Sequence, residues 1–232
     1  MSEAQFKGNT GDQLTTTIGV HLDTIVARNP DHPALVIPHQ NIRWTYSEFQ
    51  TEVNRFATGL LALGIEPGDR VGIWSPNRYE WVLTQFATAK IGAIMVCINP
   101  AYRLYELEYS LNKVGCKAIV SAPSFKTSYY LKMLEELAPE LAHCEPGQLK
   151  SEKLPHLTTV IRMGDDSSTG MFNFAAVSGM GGDVEFARLE QLAAELKPAD
   201  AINIQFTSGT TGMPKGATLD HTNILNNAYY AG

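Results

Sequence analysis

Short apolar runs and amphipathic stretches alternate along the middle of the chain, from about residue 70 to residue 163. The apolar runs are continuous and are not interrupted at every second position: "DRVGIWSPN", "AIMVCINP", "KAIVSA" and "LTTVIRM". Continuous apolar strands separated by helices are typical of a parallel sheet covered on both of its faces. The pattern predicts an α/β fold with a mostly parallel sheet and helices on both faces. Ligands of such sheets bind at the carboxyl ends of the strands.

The segment before this region has strong local signals. "HPALVIPHQNIRWTY" contains two apolar runs around a polar centre and predicts a β-hairpin. Thr45 and Glu48 have the spacing of a capping box, and apolar residues at helical spacing follow as far as Gly64, a residue that suits a helix end. Other predicted helix boundaries are starts at Asn77 and Ser124 and ends at Gly92, Gly115 and Pro139.

Residues 164–183 break the alternation. They are rich in Gly and Ser, show no clear period and predict a surface loop, in which Asp165 and Asp166 belong to a solvated turn and not to a metal site. The stretch "EFARLEQLAAEL" after it predicts an amphipathic helix closed by Pro198.

Composition and charge exclude several classes of protein. The net charge of −6 and the lack of a basic stripe argue against a nucleic-acid partner. No run of 18 apolar residues predicts a membrane span, although peripheral membrane contact stays open. Residues 1–14 form a tail with no apolar signal core, so a cytoplasmic location is expected. Cys97, Cys116 and Cys144 form no paired spacing and are expected to be reduced, structural thiols.

The richest local signal lies near the end of the chain, in "INIQFTSGTTGMPKGATLDHTN". "AINIQFT" and "GATL" predict strands on either side of a loop at residues 207–216. Gly209 and Gly212 can adopt positive φ, so that successive backbone N–H groups form an anion nest beside the mobile charge of Lys215. The residues predicted to bind the phosphates of ATP are Thr207, Ser208, Gly209, Thr210, Thr211, Gly212, Met213, Pro214 and Lys215.

This loop is not a Walker A loop. That pattern needs Gly-Lys followed by Ser or Thr and then a helix, whereas here Pro214 precedes Lys215 and a strand is predicted to follow. A Gly/Thr-rich turn that binds nothing is the weaker alternative. Such a turn needs neither four hydroxyls nor a Pro-Lys-Gly exit.

The stretch "FTSGTTGMPKG", residues 206–216, resembles the signature phosphate-binding loop of the adenylate-forming superfamily. That superfamily includes acyl-CoA synthetases, adenylation domains of peptide synthetases and luciferases. Residues 68–120 resemble the first sheet of acyl-CoA synthetases, and "INPAYRLYELEY" is similar to the medium-chain fatty acyl-CoA ligase branch in particular. The resemblance covers about residues 15–232.

The resemblance implies ATP, Mg²⁺ and coenzyme A as reactants and a carboxylic acid, preferably a medium-chain fatty acid, as the substrate. The carboxylate would attack the α-phosphate to give an acyl-adenylate and pyrophosphate, and the thiol of coenzyme A would then displace AMP. The loop would hold the β- and γ-phosphates, and Lys215 would stabilise the charge on the departing pyrophosphate. No catalytic residue and no Mg²⁺ ligand is assigned within this chain.

The other motifs of the superfamily lie downstream of this loop. Residues 15–232 are therefore expected to be a partial N-terminal AMP-binding domain without the C-terminal domain, unable to complete the reaction alone. The alternative is a short non-catalytic protein that binds a nucleotide or a partner. His221 is open to two interpretations, a neighbour of the site or a residue of the first turn of a helix capped by Asp220; the second is favoured.

Overall fold

A mostly parallel seven-stranded sheet forms the centre of the computed structural model, which describes residues 13–207 and 214–231. The strand order is β7-β6-β5-β3-β4-β8-β9, and all neighbours are parallel except β8 and β9. The strands of this sheet are β3 (Arg70–Trp74), β4 (Ile94–Cys97), β5 (Cys116–Ser121), β6 (Thr159–Arg162), β7 (Phe172–Asn173), β8 (Ala201–Thr207) and β9 (Lys215–Asp220). The predicted α/β class is confirmed.

Helices cover both faces of the sheet. The connection from β3 to β4 and the connection from β4 to β5 run in opposite directions along the sheet, so right-handed crossovers place their helices on opposite faces. Contacts between helices agree, because α1, α2, α3 and α7 pack together whereas α4 packs with α5. The helices are α1 (Ile18–Arg28), α2 (Tyr46–Ala62), α3 (Tyr79–Ile91), α4 (Leu104–Val114), α5 (Tyr130–Leu137), α6 (Phe174–Val177), α7 (Asp183–Glu195) and α8 (His221–Ala231).

The predicted hairpin and capping box are both confirmed. Strands β1 (Pro33–Ile37) and β2 (Ile42–Thr45) pair antiparallel, and Asn41 turns the chain between them at a φ of 54°. At the start of α2, the Glu48 N–H donates to the Thr45 hydroxyl at 3.2 Å and the Thr45 N–H donates to the Glu48 carboxylate at 2.8 Å. The predicted ends at Gly92 and Gly115 are also confirmed, since both residues adopt left-handed backbone angles.

Two predicted helix starts are wrong. Helix α3 begins at Tyr79, whose N–H donates to the Gln40 side chain at 2.9 Å, so a residue of the hairpin caps the helix instead of Asn77. Helix α5 begins at Tyr130 and not after Ser124. Phe125 and Ser128 instead exchange two backbone hydrogen bonds of 2.9 Å, which close a tight turn ahead of the helix.

The predicted surface loop at residues 164–183 also contains regular structure, namely β7 and the short helix α6. Phe174 is buried there, and its ring stacks on Phe56 of α2 with 4.1 Å between the ring centroids. The Asp166 carboxylate pairs with Arg162 at 2.6 Å. The apolar side chains of this segment anchor it to the sheet, and elements of two and four residues are too short to show a period.

The three cysteines are free thiols, as predicted. Cys116 is buried in β5, and burial raises the pKa of its thiol to about 12. Burial also raises the pKa of the Cys97 thiol. These thiols are protonated at neutral pH and serve as small apolar side chains. Within the described ranges, no helix has the length and apolar character needed to cross a membrane.

Candidate functional site

Strands β3, β4, β5, β6 and β8 are parallel, so their carboxyl ends meet along one edge of the sheet. This is the edge at which open α/β sheets bind ligands. Strand β8 ends there at Thr207, and the chain returns from the same edge at Lys215, the first residue of β9. The predicted phosphate loop therefore emerges where the fold class expects a ligand.

The two ends of the loop are joined by the β8–β9 ladder. Thr207 is the antiparallel partner of Lys215, and the Thr207 hydroxyl donates to the Lys215 carbonyl oxygen at 3.4 Å. Pro214 precedes the strand and is half-buried. A strand and not a helix follows Lys215, so the loop is not a Walker A loop, as predicted from the sequence.

Only part of the predicted site falls within the described residues. Thr207, Pro214 and Lys215 do, whereas six predicted phosphate-binding residues lie outside: Ser208, Gly209, Thr210, Thr211, Gly212 and Met213. Lys215 is exposed, and within residues 13–207 and 214–231 no carboxylate pairs with its ammonium group.

The aromatic residue and the last glycine of the loop sequence are direct partners. Phe206 lies opposite Gly216 in the ladder. A Cβ on Gly216 would lie 3.0 Å from Ile204 Cγ2 and 3.6 Å from the Phe206 ring. The absence of a side chain at Gly216 therefore leaves room for the Ile204 and Phe206 side chains against β9. This packing role of the last glycine was not predicted from the sequence.

Buried polar contacts fix β8 to its neighbours, and the sequence patterns gave no sign of them. Asn203 is buried in β8, and its side-chain amide donates to Gln85 of α3 at 3.1 Å and lies 3.7 Å from the Cys97 sulfur of β4. These contacts link β8 to α3 and β4, which precede it by more than 100 residues. They support the strand that leads into the loop.

His221 belongs to the first turn of α8, in agreement with the favoured interpretation. Asp220 and Asn223 form reciprocal bonds: the Asn223 N–H donates to the Asp220 carboxylate at 2.7 Å and the Asp220 N–H donates to the Asn223 side chain at 3.1 Å. The His221 ring is buried, and its Nδ1 accepts the Ile18 N–H at 3.1 Å. Burial lowers the pKa of His221 to about 4, against the opposing pull of nearby carboxylates. The ring is therefore neutral near pH 7.

The ligand sets of metal sites provide a further comparison for the described residues. Among the residues that the structure describes, no group of three or more His, Cys, Asp or Glu could hold a metal ion.

Comparison with known proteins identifies the class. The family model described as AMP-binding enzyme matches residues 22–232. The chain therefore belongs to the AMP-binding enzyme family.

Its relatives include medium-chain acyl-CoA ligases. The chain is 47% identical over 227 residues to the mitochondrial medium-chain acyl-CoA ligase ACSF2 of Bos taurus. It is 48% identical over 219 residues to the protein of the same name in Homo sapiens. These matches cover 97% and 93% of this chain but 37% and 35% of the relatives, so the chain spans little more than a third of their length.

Solved structures support the fold. The anthranilate CoA ligase AuaEII in complex with anthranoyl-AMP superposes with a TM-score of 0.74 at 23% identity, over 90% of this chain and 35% of that one. The N-terminal domain of FACL13 from Mycobacterium tuberculosis superposes with a TM-score of 0.62 at 27% identity, over 89% of this chain and 44% of that one. The sheet described above thus matches the N-terminal part of CoA ligase structures.

Proposed function

We propose that the protein activates a carboxylic acid with ATP. A carboxylate oxygen attacks the α-phosphate of Mg-ATP and releases pyrophosphate, and the thiol of coenzyme A then displaces AMP from the acyl-adenylate. The observation that carries this proposal is the position of Thr207 and Lys215. They face each other at the ligand-binding edge of the sheet, and they flank the signature loop of the family.

The loop would have an electrostatic task in this reaction. Negative charge builds on the β-phosphate as pyrophosphate departs, and a preorganised cation and backbone N–H donors stabilise that charge. Lys215 supplies the cation. The predicted nest within residues 207–215 would supply the N–H donors, and Thr207 precedes residues 208–213 in sequence with a further hydroxyl. Mg²⁺ carried by the triphosphate would neutralise further charge, and a loop hydroxyl could contact it.

We infer a medium-chain fatty acid as the substrate, because the relatives at 47–48% identity are named medium-chain acyl-CoA ligases. Aryl acids, short-chain acids and amino acids are the competing classes within the superfamily. A cytoplasmic location remains the prediction of the sequence, whereas the relatives carry the word mitochondrial in their names.

The test uses the full-length protein and measures ATP–pyrophosphate exchange with octanoate, acetate, benzoate and leucine as alternative acids. We expect exchange with octanoate to exceed exchange with the other three. We also expect coenzyme A to give octanoyl-CoA, which mass spectrometry would detect. No exchange with any acid would overturn the proposed activity, and preference for another acid would overturn only the substrate class.

Residues 1–232 alone serve as the second arm of the test. We expect them to bind Mg-ATP but to form no acyl-CoA; formation of acyl-CoA would show that they are catalytically complete. Nucleotide binding by residues 1–232, together with no pyrophosphate exchange by the full-length protein with any acid, would favour the alternative, a non-catalytic binding protein.

A further inference from the structure

Strand β9 carries Lys215 but is weakly constrained by its own hairpin. Within the described ranges, β9 is hydrogen-bonded to β8 alone. Seven residues, 208–214, separate β8 from β9 in the sequence, whereas the turns that set a hairpin register by themselves have two residues. The ladder is also irregular at its far end, where Ala201 pairs with Asp220 but Asn203 pairs with Leu219.

The pairing of β9 decides where the charge of Lys215 lies. Side chains alternate between the two faces of a strand, so a shift of β9 by one residue would move the Lys215 side chain to the opposite face of the sheet. The irregular ladder and the exposed residues of β9 select one register only weakly. Some other contact must hold β9 in register.

That contact is supplied by the start of the described chain. The Asn226 side chain accepts the Leu14 N–H at 2.9 Å and donates to the Leu14 carbonyl oxygen at 3.0 Å. The His221 ring accepts the Ile18 N–H at 3.1 Å in a buried site. We call these four residues, Leu14, Ile18, His221 and Asn226, the N-terminal clasp. It joins α8, which follows β9 directly, to residues more than 200 positions earlier.

Apolar packing holds the clasp and the irregular end of the ladder together. Ile18 and Leu225 pack in one buried cluster with Ala89 of α3 and Ile202 of β8. Ile202 is the extra residue between the paired positions Ala201 and Asn203. The residue that makes the ladder irregular is therefore clamped by the same elements that carry the clasp.

A shift of β9 would break this arrangement. His221 follows Asp220, the last residue of β9, without a linker. Moving the strand by one position would withdraw the ring from the Ile18 N–H and leave that buried donor unpaired, which is strongly disfavoured. The hydrogen bond of His221 therefore opposes any change in the register of β9.

We propose that His221 and Asn226 are positioning residues of the nucleotide site. The N-terminal clasp locks the register of β9 and thereby the face on which Lys215 meets the phosphates. This inference rests on the proposed function for the ligand that Lys215 meets. The mechanical coupling between the clasp and β9 does not depend on it.

Paired variants separate the clasp from general stability. His221→Phe and Asn226→Ala remove its hydrogen bonds, whereas His221→Asn retains a side-chain acceptor for the Ile18 N–H. Asn227→Ala makes the same chemical change as Asn226→Ala at an exposed position of the same helix. Circular dichroism and thermal melting establish that each variant of residues 1–232 is folded before it is compared.

The first readout is hydrogen exchange of the β9 amides, followed by mass spectrometry, with β3 as the internal reference. We expect His221→Phe and Asn226→Ala to accelerate exchange in β9 about tenfold with β3 unchanged, a factor that local opening readily produces. His221→Asn and Asn227→Ala should resemble the wild type. Equal exchange in β9 for all four variants would overturn the proposed lock.

The second readout is the affinity of residues 1–232 for Mg-ATP by calorimetry and, in the full-length protein, the KM for ATP. Loss of the clasp should weaken ATP binding about tenfold, or about 1.4 kcal/mol, without changing the KM for octanoate. Faster exchange with unchanged ATP binding would make the clasp a purely structural contact and overturn the positioning role. A wild-type chain that binds no ATP would overturn the proposed function, and the exchange data would still decide the coupling.

Discussion

Thr207 and Lys215 face each other across the last pair of the β8–β9 ladder, where the Thr207 hydroxyl donates to the Lys215 carbonyl oxygen at 3.4 Å. The backbone of Lys215 is therefore held at the end of β8, while its side chain is exposed. A lysine in this position acts as a point charge of adjustable reach. In the proposed reaction, such a charge would follow the negative charge that builds on the β-phosphate as pyrophosphate leaves.

Replacing Lys215 by Ala in the full-length protein should slow adenylation by about 10- to 100-fold, because one charge-assisted phosphate contact is lost. The measurement is ATP–pyrophosphate exchange at saturating octanoate. Lys215→Arg keeps the charge and is the matched control, from which we expect a smaller loss. An exchange rate in Lys215→Ala equal to that of the wild type would remove this side chain from the mechanism.

A close approach of two helices makes Gly59 sensitive to substitution. Gly59 lies in α2, and a Cβ there would overlap the carbonyl oxygen of Val177 and lie 2.7 Å from its carbonyl carbon. Because backbone atoms cannot rotate away, Gly59→Ala must push α6 from the core. We expect a loss of about 2 kcal/mol in the free energy of unfolding. This corresponds to a decrease in Tm of roughly 4–8 °C.

Gly179→Ala is the control for this effect. Gly179 is exposed, and a Cβ there would lie 3.5 Å from the Ala176 carbonyl oxygen, an ordinary van der Waals contact. Thermal melting of both variants of residues 1–232 decides the point. If the Tm of Gly59→Ala equals the Tm of Gly179→Ala and of the wild type, α2 and α6 are not in tight contact.

The sequence predicted those features whose cause is local. The strand "AINIQFT" and the capping box of Thr45 and Glu48 depend on residues a few positions apart, and both are present in the structure. The cap of α3 was missed, because its acceptor is Gln40, 39 positions before Tyr79. No periodic pattern can signal a partner at that distance.

The candidate site likewise has a part that local sequence predicts and a part that depends on distant residues. The strand pattern around the loop predicted that Thr207 and Lys215 lie where β8 ends and β9 begins, as they do; that they bind phosphate stays a prediction. The contacts that support the loop were out of reach of the sequence. Asn203 contacts Gln85 across 118 positions, and Asn226 contacts Leu14 across 212. Tertiary packing brings these side chains together, and their own sequence neighbourhoods are unremarkable.

The buried ring of His221 predicts a pH dependence of stability. Burial lowers its pKa from the ordinary value of 6.5 to about 4, although the carboxylates of Asp200 and Asp220 act in the opposite direction. Between these two values the unfolded chain binds more protons at this residue than the folded chain does. The free energy of unfolding should therefore rise with pH across this window, and the contribution is lost as the pH falls through about 4.

His221→Asn removes the titrating group and keeps an acceptor for the Ile18 N–H. Thermal melting of residues 1–232 from pH 4 to pH 7 should show that the Tm of the wild type rises more steeply with pH than the Tm of this variant. Parallel curves would mean that His221 titrates alike in the folded and unfolded chains.

The outer edge of β9 predicts self-association of residues 1–232. In the part of the chain that the structure describes, no strand pairs with this edge, and its central residues, Gly216 to Leu219, carry no charge. Unpaired N–H and C=O groups on a flat edge pair readily with a second chain. We expect the apparent mass by light scattering to increase with protein concentration.

Thr218→Lys should suppress this association, because a charge on an edge strand disfavours pairing with another copy. The concentration at which association begins should rise by roughly tenfold, as expected for a penalty of about 1.4 kcal/mol. Thr24→Lys adds the same charge on the exposed face of α1, away from the edge, and should have little effect. Equal suppression by both variants would assign the association to net charge. A monomeric mass of the wild type at all concentrations would show that the edge of β9 does not pair with a second copy.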